Sequence, residues 1–109
     1  MRADLPVLPR PRLDLSAPDV ARAVDAAALL SDRTRAGILR MLRDGPHCVC
    51  EMAAALGERE NNVSNNLARL REAGLVRASR HDANARFQYY ERDVAAIKAA
   101  GDALSEVLG

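Results

Sequence analysis

The stretch 48–76, CVCEMAAALGERENNVSNNLARLREAGLV, constrains the fold of this 109-residue chain more than any other part. Met52, Ala55 and Leu56 form a short apolar stripe at helical spacing, and a longer stripe follows a break at 57–59. The longer stripe consists of Val63, Leu67, Leu70 and Leu75. Two short helices joined by a tight turn are therefore predicted, which is the arrangement of a helix-turn-helix unit.

The second of these helices carries a polar set that a solvated helix does not need. Asn recurs in it although Asn has a poor helix propensity, so a requirement other than helix stability is indicated. Asn and Arg side chains are shaped for paired hydrogen bonds to adenine and guanine edges in DNA. The predicted base-contacting residues are Asn61, Asn62, Ser64, Asn65, Asn66 and Arg69. A polar surface helix without a DNA partner is the alternative.

Composition predicts one small, mainly α domain and leaves little room for an enzyme. Aromatic residues make up 3% of the chain, which favours helices packed through Ala and Leu. The net charge is only +1, but residues 59–92 hold seven Arg against four acidic residues, next to the candidate DNA-contacting helix. No apolar run is long enough for a membrane span and no signal peptide is evident, so we expect a cytoplasmic protein with reduced thiols.

An arm and two further helices flank the central unit. Residues 1–18 contain four prolines and no helical period, which predicts an extended arm, with a disordered leader as the alternative for the first ten residues. Residues 19–109 are predicted to form the domain. Helix 1 from Asp19 and a last helix, helix 5, capped by Asp93 carry apolar stripes that predict a homodimer interface. The interface residues are Val20, Val24, Ala27, Val94, Ile97, Gly101, Leu104 and Leu108.

Helix 2 and a β-hairpin complete the predicted order of elements. Ser31 and Asp32 offer an N-cap for helix 2, whose arginines, Arg35, Arg40 and Arg43, are expected to face water. The sequence period changes toward two over 75–91, which predicts a hairpin. Three arginines of this hairpin are expected to contact DNA phosphates, with ordinary solvated surface as the alternative: Arg77, Arg80 and Arg86.

This order of elements, together with LSDRTRAGIL, CVCEMA, NVSNNLARLREAGLV and FQYY, resembles the ArsR–SmtB family of metal-responsive repressors over residues 20–108. CVCEMA is similar to the metal box of that family at the start of helix 3. The resemblance implies a winged helix-turn-helix fold and a homodimer that binds double-stranded operator DNA. The chain departs from the family pattern at Arg33, Arg59 and Asn66, where the family commonly has Pro, a Ser or Thr cap, and His.

Cys48 and Cys50, the two cysteines of the chain, are the predicted metal ligands. Thiolates are soft ligands that select As(III), Sb(III), Cd(II), Pb(II), Hg(II) or Zn(II) over magnesium or calcium, whereas inert buried thiols are the alternative. Residues two apart point away from each other in a regular helix, so the pair can share an ion only at an unwound or frayed helix start. Further ligand candidates are His47, Asp4 and Asp14.

Two other metal sites that the resemblance allows are not supported by these residues. A zinc site on the last helix needs histidine, and residues 92–109 contain none. A cysteine site in the DNA-contacting helix is excluded because Arg69 and Ala73 stand where its ligands would fall. Only the pair of cysteines at the start of helix 3 remains.

The predicted function is a metal(loid)-responsive repressor that leaves its operator when As(III)/Sb(III) or Cd(II)/Pb(II)/Zn(II) binds Cys48 and Cys50, with no organic cofactor. A repressor of the same fold that responds to thiol oxidation is the alternative. A thiol enzyme has little support, because the chain has no CxxC motif and only His47 and His81 as candidate bases.

Overall fold

Helices dominate the computed structural model, which describes residues 12–79 and 87–109. Within these residues the helices are α1 Pro18–Leu30, α2 Arg33–Leu42, α3 Val49–Leu56, α4 Glu60–Glu72 and α5 Val94–Leu108, and the strands are β1 His47–Cys48, β2 Val76–Ala78 and β3 Tyr89–Arg92. No helix in the described ranges is long and apolar enough to cross a membrane. The predictions for Asp4, Arg80 and Arg86 lie outside the described residues.

Helices α2, α3 and α4 surround the apolar core. The side chains of Ile38, Met52, Val63 and Leu70 are fully buried there. Gly57 ends α3 in the left-handed conformation, with φ of 66°, and its amide donates to carbonyls of the last turn. This conformation favours glycine and lets the chain reverse into α4 within three residues. The predicted helix-turn-helix is confirmed.

Side-chain caps start two of the helices as the sequence predicts. The Asp32 carboxylate accepts from the amides of Thr34 at 2.8 Å and Arg35 at 3.2 Å at the start of α2. Asp93 accepts from the Ala96 amide at 2.9 Å at the start of α5. Arg59, which precedes α4, makes no side-chain cap hydrogen bond. Its departure from the Ser or Thr of the family pattern therefore leaves α4 without that cap.

The predicted hairpin is present and forms part of a three-stranded antiparallel sheet in the order β1-β3-β2. Val76 pairs with Arg92, and Ala78 pairs with Tyr90. The sequence did not predict β1, in which His47 pairs with Tyr90 and Cys48 with Tyr89. A two-residue strand is too short to show an alternating pattern. The extra strand joins the cysteine segment to the hairpin of β2 and β3, which is the wing of the fold.

Helices α1 and α5 pack against each other within one chain. Small residues lie at their contact, where Ala23, Ala26 and Ala103 are buried. Among the predicted dimer-interface residues, Val24, Ala27, Val94, Gly101 and Leu108 are exposed, Val20 and Leu104 are half-buried, and Ile97 packs partly against the core. Several apolar side chains of α1 and α5 thus remain exposed in the single chain.

The structure overturns one expectation about α2. Arg40 and Arg43 are exposed, as expected, but Arg35 is only 8% exposed. Its guanidinium points between α1 and α4 and does not face water. The apolar period of α2 placed Arg35 on the polar side, and the period carries no information about what packs there.

Candidate functional site

The two cysteines lie at the junction of β1 and α3. Cys48 is the last residue of β1 and precedes α3 with extended backbone angles, φ of −90° and ψ of 168°. Cys50 lies in the first turn of α3. Because Cys48 stands outside the helix, the two side chains turn to the same side and their Sγ atoms lie 2.8 Å apart. The geometric requirement for sharing one ligand is therefore met at the helix start.

Burial distinguishes the two thiols. Cys48 is 3% exposed, whereas Cys50 is half-buried. Burial raises the pKa of the Cys48 thiol, and its contact with Cys50 raises it further. Cys48 therefore stays protonated to a higher pH than an ordinary cysteine. Coordination of an ion by this thiol requires loss of the proton, so binding is coupled to proton release.

Glu51 holds the backbone of the cysteine segment in place. Its carboxylate accepts a hydrogen bond from the Cys48 amide at 3.0 Å. That bond lowers the pKa of Glu51, so the carboxylate is charged near neutral pH. A negative charge in the first turn also stabilises α3 through the helix dipole. This role of Glu51 was not predicted from the sequence, although the spacing of three residues between Cys48 and Glu51 is that of a capping box.

The structure does not assemble the further ligand candidates around the sulfurs. His47 Nδ1 lies 3.5 Å from Glu51 Oε1, an ion-pair distance without hydrogen-bond geometry. Asp14 accepts two hydrogen bonds from Ser16, at 2.7 and 2.9 Å. Among the described residues no group of three or more His, Cys, Asp or Glu side chains is placed to hold a metal ion. The sulfur pair is thus the whole set of soft ligands that the described residues bring together.

The polar residues of α4 divide between an outer and an inner face. Asn61, Ser64, Asn65 and Arg69 are exposed on the outer face. Asn62 is half-buried, and its amide donates to Thr34 at 3.3 Å and Glu58 at 3.0 Å. Asn66 is 7% exposed and accepts from Arg35, so the prediction that it contacts bases does not fit its position. Of the six predicted base-contacting residues, the four on the outer face are therefore the ones that are exposed for contact with another molecule.

Arg77 of the wing is partly neutralised within the domain. Its guanidinium pairs with Glu91 at 3.0 Å and with Asp93 at 3.1 Å, while its side chain remains 57% exposed. Exposed ion pairs of this kind are weak, typically about 0–1 kcal/mol, so a phosphate can compete for the guanidinium. Arg71 lies over the ring of Tyr90, 5.3 Å from its centroid, and joins α4 to β3. That contact was not predicted from the sequence.

The chain matches a known protein family. The model described as bacterial regulatory protein, arsR family, matches residues 32–78. The HTH-type transcriptional regulator NmtR of Mycobacterium tuberculosis is 32% identical over 88 residues, which are 81% of this chain and 73% of that protein. The arsenical resistance operon repressor of Escherichia coli K12 is 43% identical over 49 residues, which are 44% of this chain and 42% of that repressor. The chain thus spans less than half the length of this second relative.

A solved structure is similar over most of the described fold. It is the solution structure of a homodimeric winged helix-turn-helix DNA-binding domain from Mycobacterium bovis. The TM-score is 0.61 at 28% identity, over 87% of this chain and 88% of that one. This similarity confirms the predicted fold class.

The difference in burial predicts which thiol reacts first. At about pH 8, iodoacetamide should alkylate Cys50 about tenfold faster than Cys48, because the buried Cys48 has the raised pKa and the lower access. Both cysteines lie in one tryptic peptide, so fragment-ion mass spectrometry must assign the label. The single variants Cys48→Ser and Cys50→Ser serve as controls for each rate. Equal labelling of the two positions would contradict this account of the site.

Proposed function

The chain belongs to the arsR family of bacterial regulatory proteins, and on that premise we propose that it is a homodimeric transcriptional repressor released from DNA by a soft metalloid. Cys48 and Cys50 bind the metalloid in this proposal. The observation that carries it is the 2.8 Å separation of their sulfurs at the start of α3, the helix that leads into α4. The sensor and the DNA-contacting helix are then neighbours in one motif.

The ligand set favours As(III) or Sb(III) over the other soft ions. Zinc sites with protein ligands alone are almost always four-coordinate, and the described residues supply two sulfurs and no third ligand. Trivalent arsenic or antimony needs only one more partner, which solvent or an exogenous thiol can provide. The name of the Escherichia coli relative, an arsenical resistance repressor, points the same way. Cd(II), Pb(II) and Zn(II) stand as the weaker candidates.

The thiols are connected to α4 through α3. Cys48 is held by its pairing with Tyr89 and by the hydrogen bond from its amide to Glu51. An ion bonded to both sulfurs must hold them farther apart than 2.8 Å, because each metal–sulfur bond is about 2.3 Å long. The ion therefore acts on this junction and on the first turn of α3. Met52 of α3 and Val63 of α4 lie in the same apolar core, so a shift of α3 displaces α4. A coupling of about 1–3 kcal/mol weakens DNA binding about 5–150-fold, which is enough for release.

The outer face of α4 is the proposed contact with DNA bases. Asn61, Ser64, Asn65 and Arg69 are exposed there, while the opposite side is anchored by Val63, Leu67 and Leu70. A rigid helix with a polar outer face matches the way helix-turn-helix proteins enter the major groove. Arg77 on the wing is the proposed phosphate contact among the described residues. Operator DNA is the proposed partner.

The uncovered apolar surface of α1 and α5 supports the dimer. Val24 is 60% exposed, Val94 72% and Leu108 81%, on the two helices that pack together. Apolar surface of this kind commonly marks an interface between protein chains. The Mycobacterium bovis domain of similar fold is homodimeric. We propose that a second copy of the chain covers this face.

Thiol oxidation is the second candidate function. The two sulfurs lie 2.8 Å apart, against about 2.05 Å in a disulfide bond. With hydrogen peroxide as the oxidant, two thiols give one disulfide and two water molecules. The metalloid hypothesis predicts DNA release by arsenite in the presence of glutathione, where oxidation is suppressed. Release by peroxide and not by arsenite would favour the oxidation hypothesis.

The first prediction separates sensing from DNA binding. The Cys48→Ser/Cys50→Ser protein should bind operator within about threefold of wild type, because the thiols belong to β1 and α3 and not to α4. Arsenite with glutathione should release the wild-type protein but not this variant in a fluorescence-anisotropy titration. His47→Ala, which removes a side chain not assembled with the sulfurs, is the matched control and should remain inducible. Normal release of the double variant would remove the sensor assignment.

The second prediction concerns the base contacts of α4. Asn65→Ala should lose about 1–3 kcal/mol of binding free energy on an operator selected by the wild-type protein and little on random DNA. Arg77→Ala is the comparison, because loss of a phosphate contact should weaken both DNAs alike. Anisotropy titrations at fixed salt measure both variants. Equal losses on both DNAs for Asn65→Ala would show that this residue does not contact base edges.

The third prediction concerns the dimer. Val24→Glu should shift the protein to monomers, because a carboxylate buried in an apolar interface is strongly unfavourable. Ala54→Glu, at an exposed position of α3, should leave the dimer intact and serves as the control. Sedimentation velocity at micromolar concentration measures both. A Val24→Glu protein that remains dimeric would place the interface elsewhere.

A further inference from the structure

Arg35 is a buried cation with no carboxylate partner among the described residues. Its Nε donates to the Leu29 carbonyl at 2.7 Å, and its Nη2 donates to the Ala28 carbonyl at 3.1 Å. Both carbonyls belong to the last turn of α1, which has no basic residue of its own. The C-terminal end of a helix carries a partial negative charge. Arg35 of α2 thus supplies the cation that satisfies the end of α1.

The same guanidinium also binds α4. Its Nη1 donates to Asn66 Oδ1 at 2.9 Å, across a sequence separation of 31 residues. The amide of Asn66 donates in turn to the carbonyl and to the side-chain oxygen of Asn62, each at 3.0 Å. Asn66 is therefore fully engaged between α2 and its own helix. One planar side chain connects the end of α1 to the middle of α4.

Further hydrogen bonds hold α4 one turn earlier, at Asn62, which lies on the same face of the helix as Asn66. The Asn62 amide donates to Glu58, which follows the residue that ends α3. It also donates to the Thr34 hydroxyl at the start of α2. Helix α4 is consequently tied by directional bonds to α2, to the end of α1 and to the turn after α3. Rotation or sliding of α4 in its groove would break several of them together.

Stability alone does not require this arrangement. Buried charged groups lose much of their solvation, and apolar side chains of similar volume are often equally stabilising or better. Apolar contacts, however, carry little directional preference, whereas a guanidinium fork fixes both distance and angle to its acceptors. Arg35 and Asn66 therefore contribute a fixed orientation of α4.

We propose that Arg35 and Asn66 are positioning residues that set the angle of α4 relative to the α1–α5 layer. Because a dimer formed through that layer presents two α4 helices, this angle decides whether both fit half-sites one DNA turn apart. The inference rests on the proposed DNA-binding function. It assigns no base contact to either residue.

The test compares a full site with a half-site. The probes are an inverted repeat selected from a random duplex pool by the wild-type protein and the same duplex with one half scrambled. Arg35→Met and Asn66→Leu should each lower the melting temperature and should reduce the ratio of full-site to half-site affinity about tenfold. In Arg35→Met/Asn66→Leu neither member of the Arg35–Asn66 pair is left buried alone, so the melting temperature should recover in part. Recovery is incomplete because the Ala28 and Leu29 carbonyls lose their donor, and the ratio of full-site to half-site affinity should stay reduced. Arg33→Met removes an exposed charge from the same helix and should leave the ratio unchanged.

A further variant tests the proposal if the double variant does not fold. Arg35→Lys keeps a cation at the end of α1, but its single ammonium cannot bridge to Asn66 as a planar fork does. The ratio of full-site to half-site affinity should fall in this variant as well. Recovery of the ratio together with the melting temperature in the double variant, or a wild-type ratio in Arg35→Lys, would overturn the positioning role. A wild-type protein that enriches no inverted repeat would instead refute the proposed function, and this inference with it.

Discussion

The position of Cys48 at the end of a strand and the start of a helix is the constraint on which the proposed mechanism depends. A cysteine pair with one intervening residue diverges when both members are helical. Here the extended backbone of Cys48 turns its sulfur back toward Cys50, to 2.8 Å. The strand pairing with Tyr89 and the hydrogen bond to Glu51 maintain that conformation. A ligand at the sulfurs therefore acts on the junction that positions α3.

The two sides of α4 carry different kinds of residues. Its outer face presents Asn61, Ser64, Asn65 and Arg69 to solvent, and the two asparagines have a poor helix propensity. Its inner face combines the apolar core with Asn66, which Arg35 binds. The apolar contacts hold the helix against the domain, and the buried polar contacts restrict its direction. A DNA-contacting helix that is firmly oriented loses less entropy when it enters the groove.

The α1–α5 layer and the wing connect this helix to its surroundings. Small residues, Ala23, Ala26 and Ala103, let α1 and α5 approach closely and leave larger apolar side chains on the outer surface. The wing is joined to α4 by the contact of Arg71 with Tyr90, and to the thiol segment by the pairing of β1 with β3. The sheet therefore connects the candidate sensor to the candidate phosphate contact Arg77.

The sequence by itself determined the helix-turn-helix, the wing and the thiol pair, because apolar spacing, cap residues such as Asp32 and Asp93, and ligand chemistry are local properties. Only the tertiary structure decided that Arg35 and Asn66 face each other, that β1 joins the sheet, and that no third ligand is assembled among the described residues. Helical periodicity separates an apolar face from a polar one. Whether a polar side chain then meets solvent or a partner 31 residues away depends on how the helices pack.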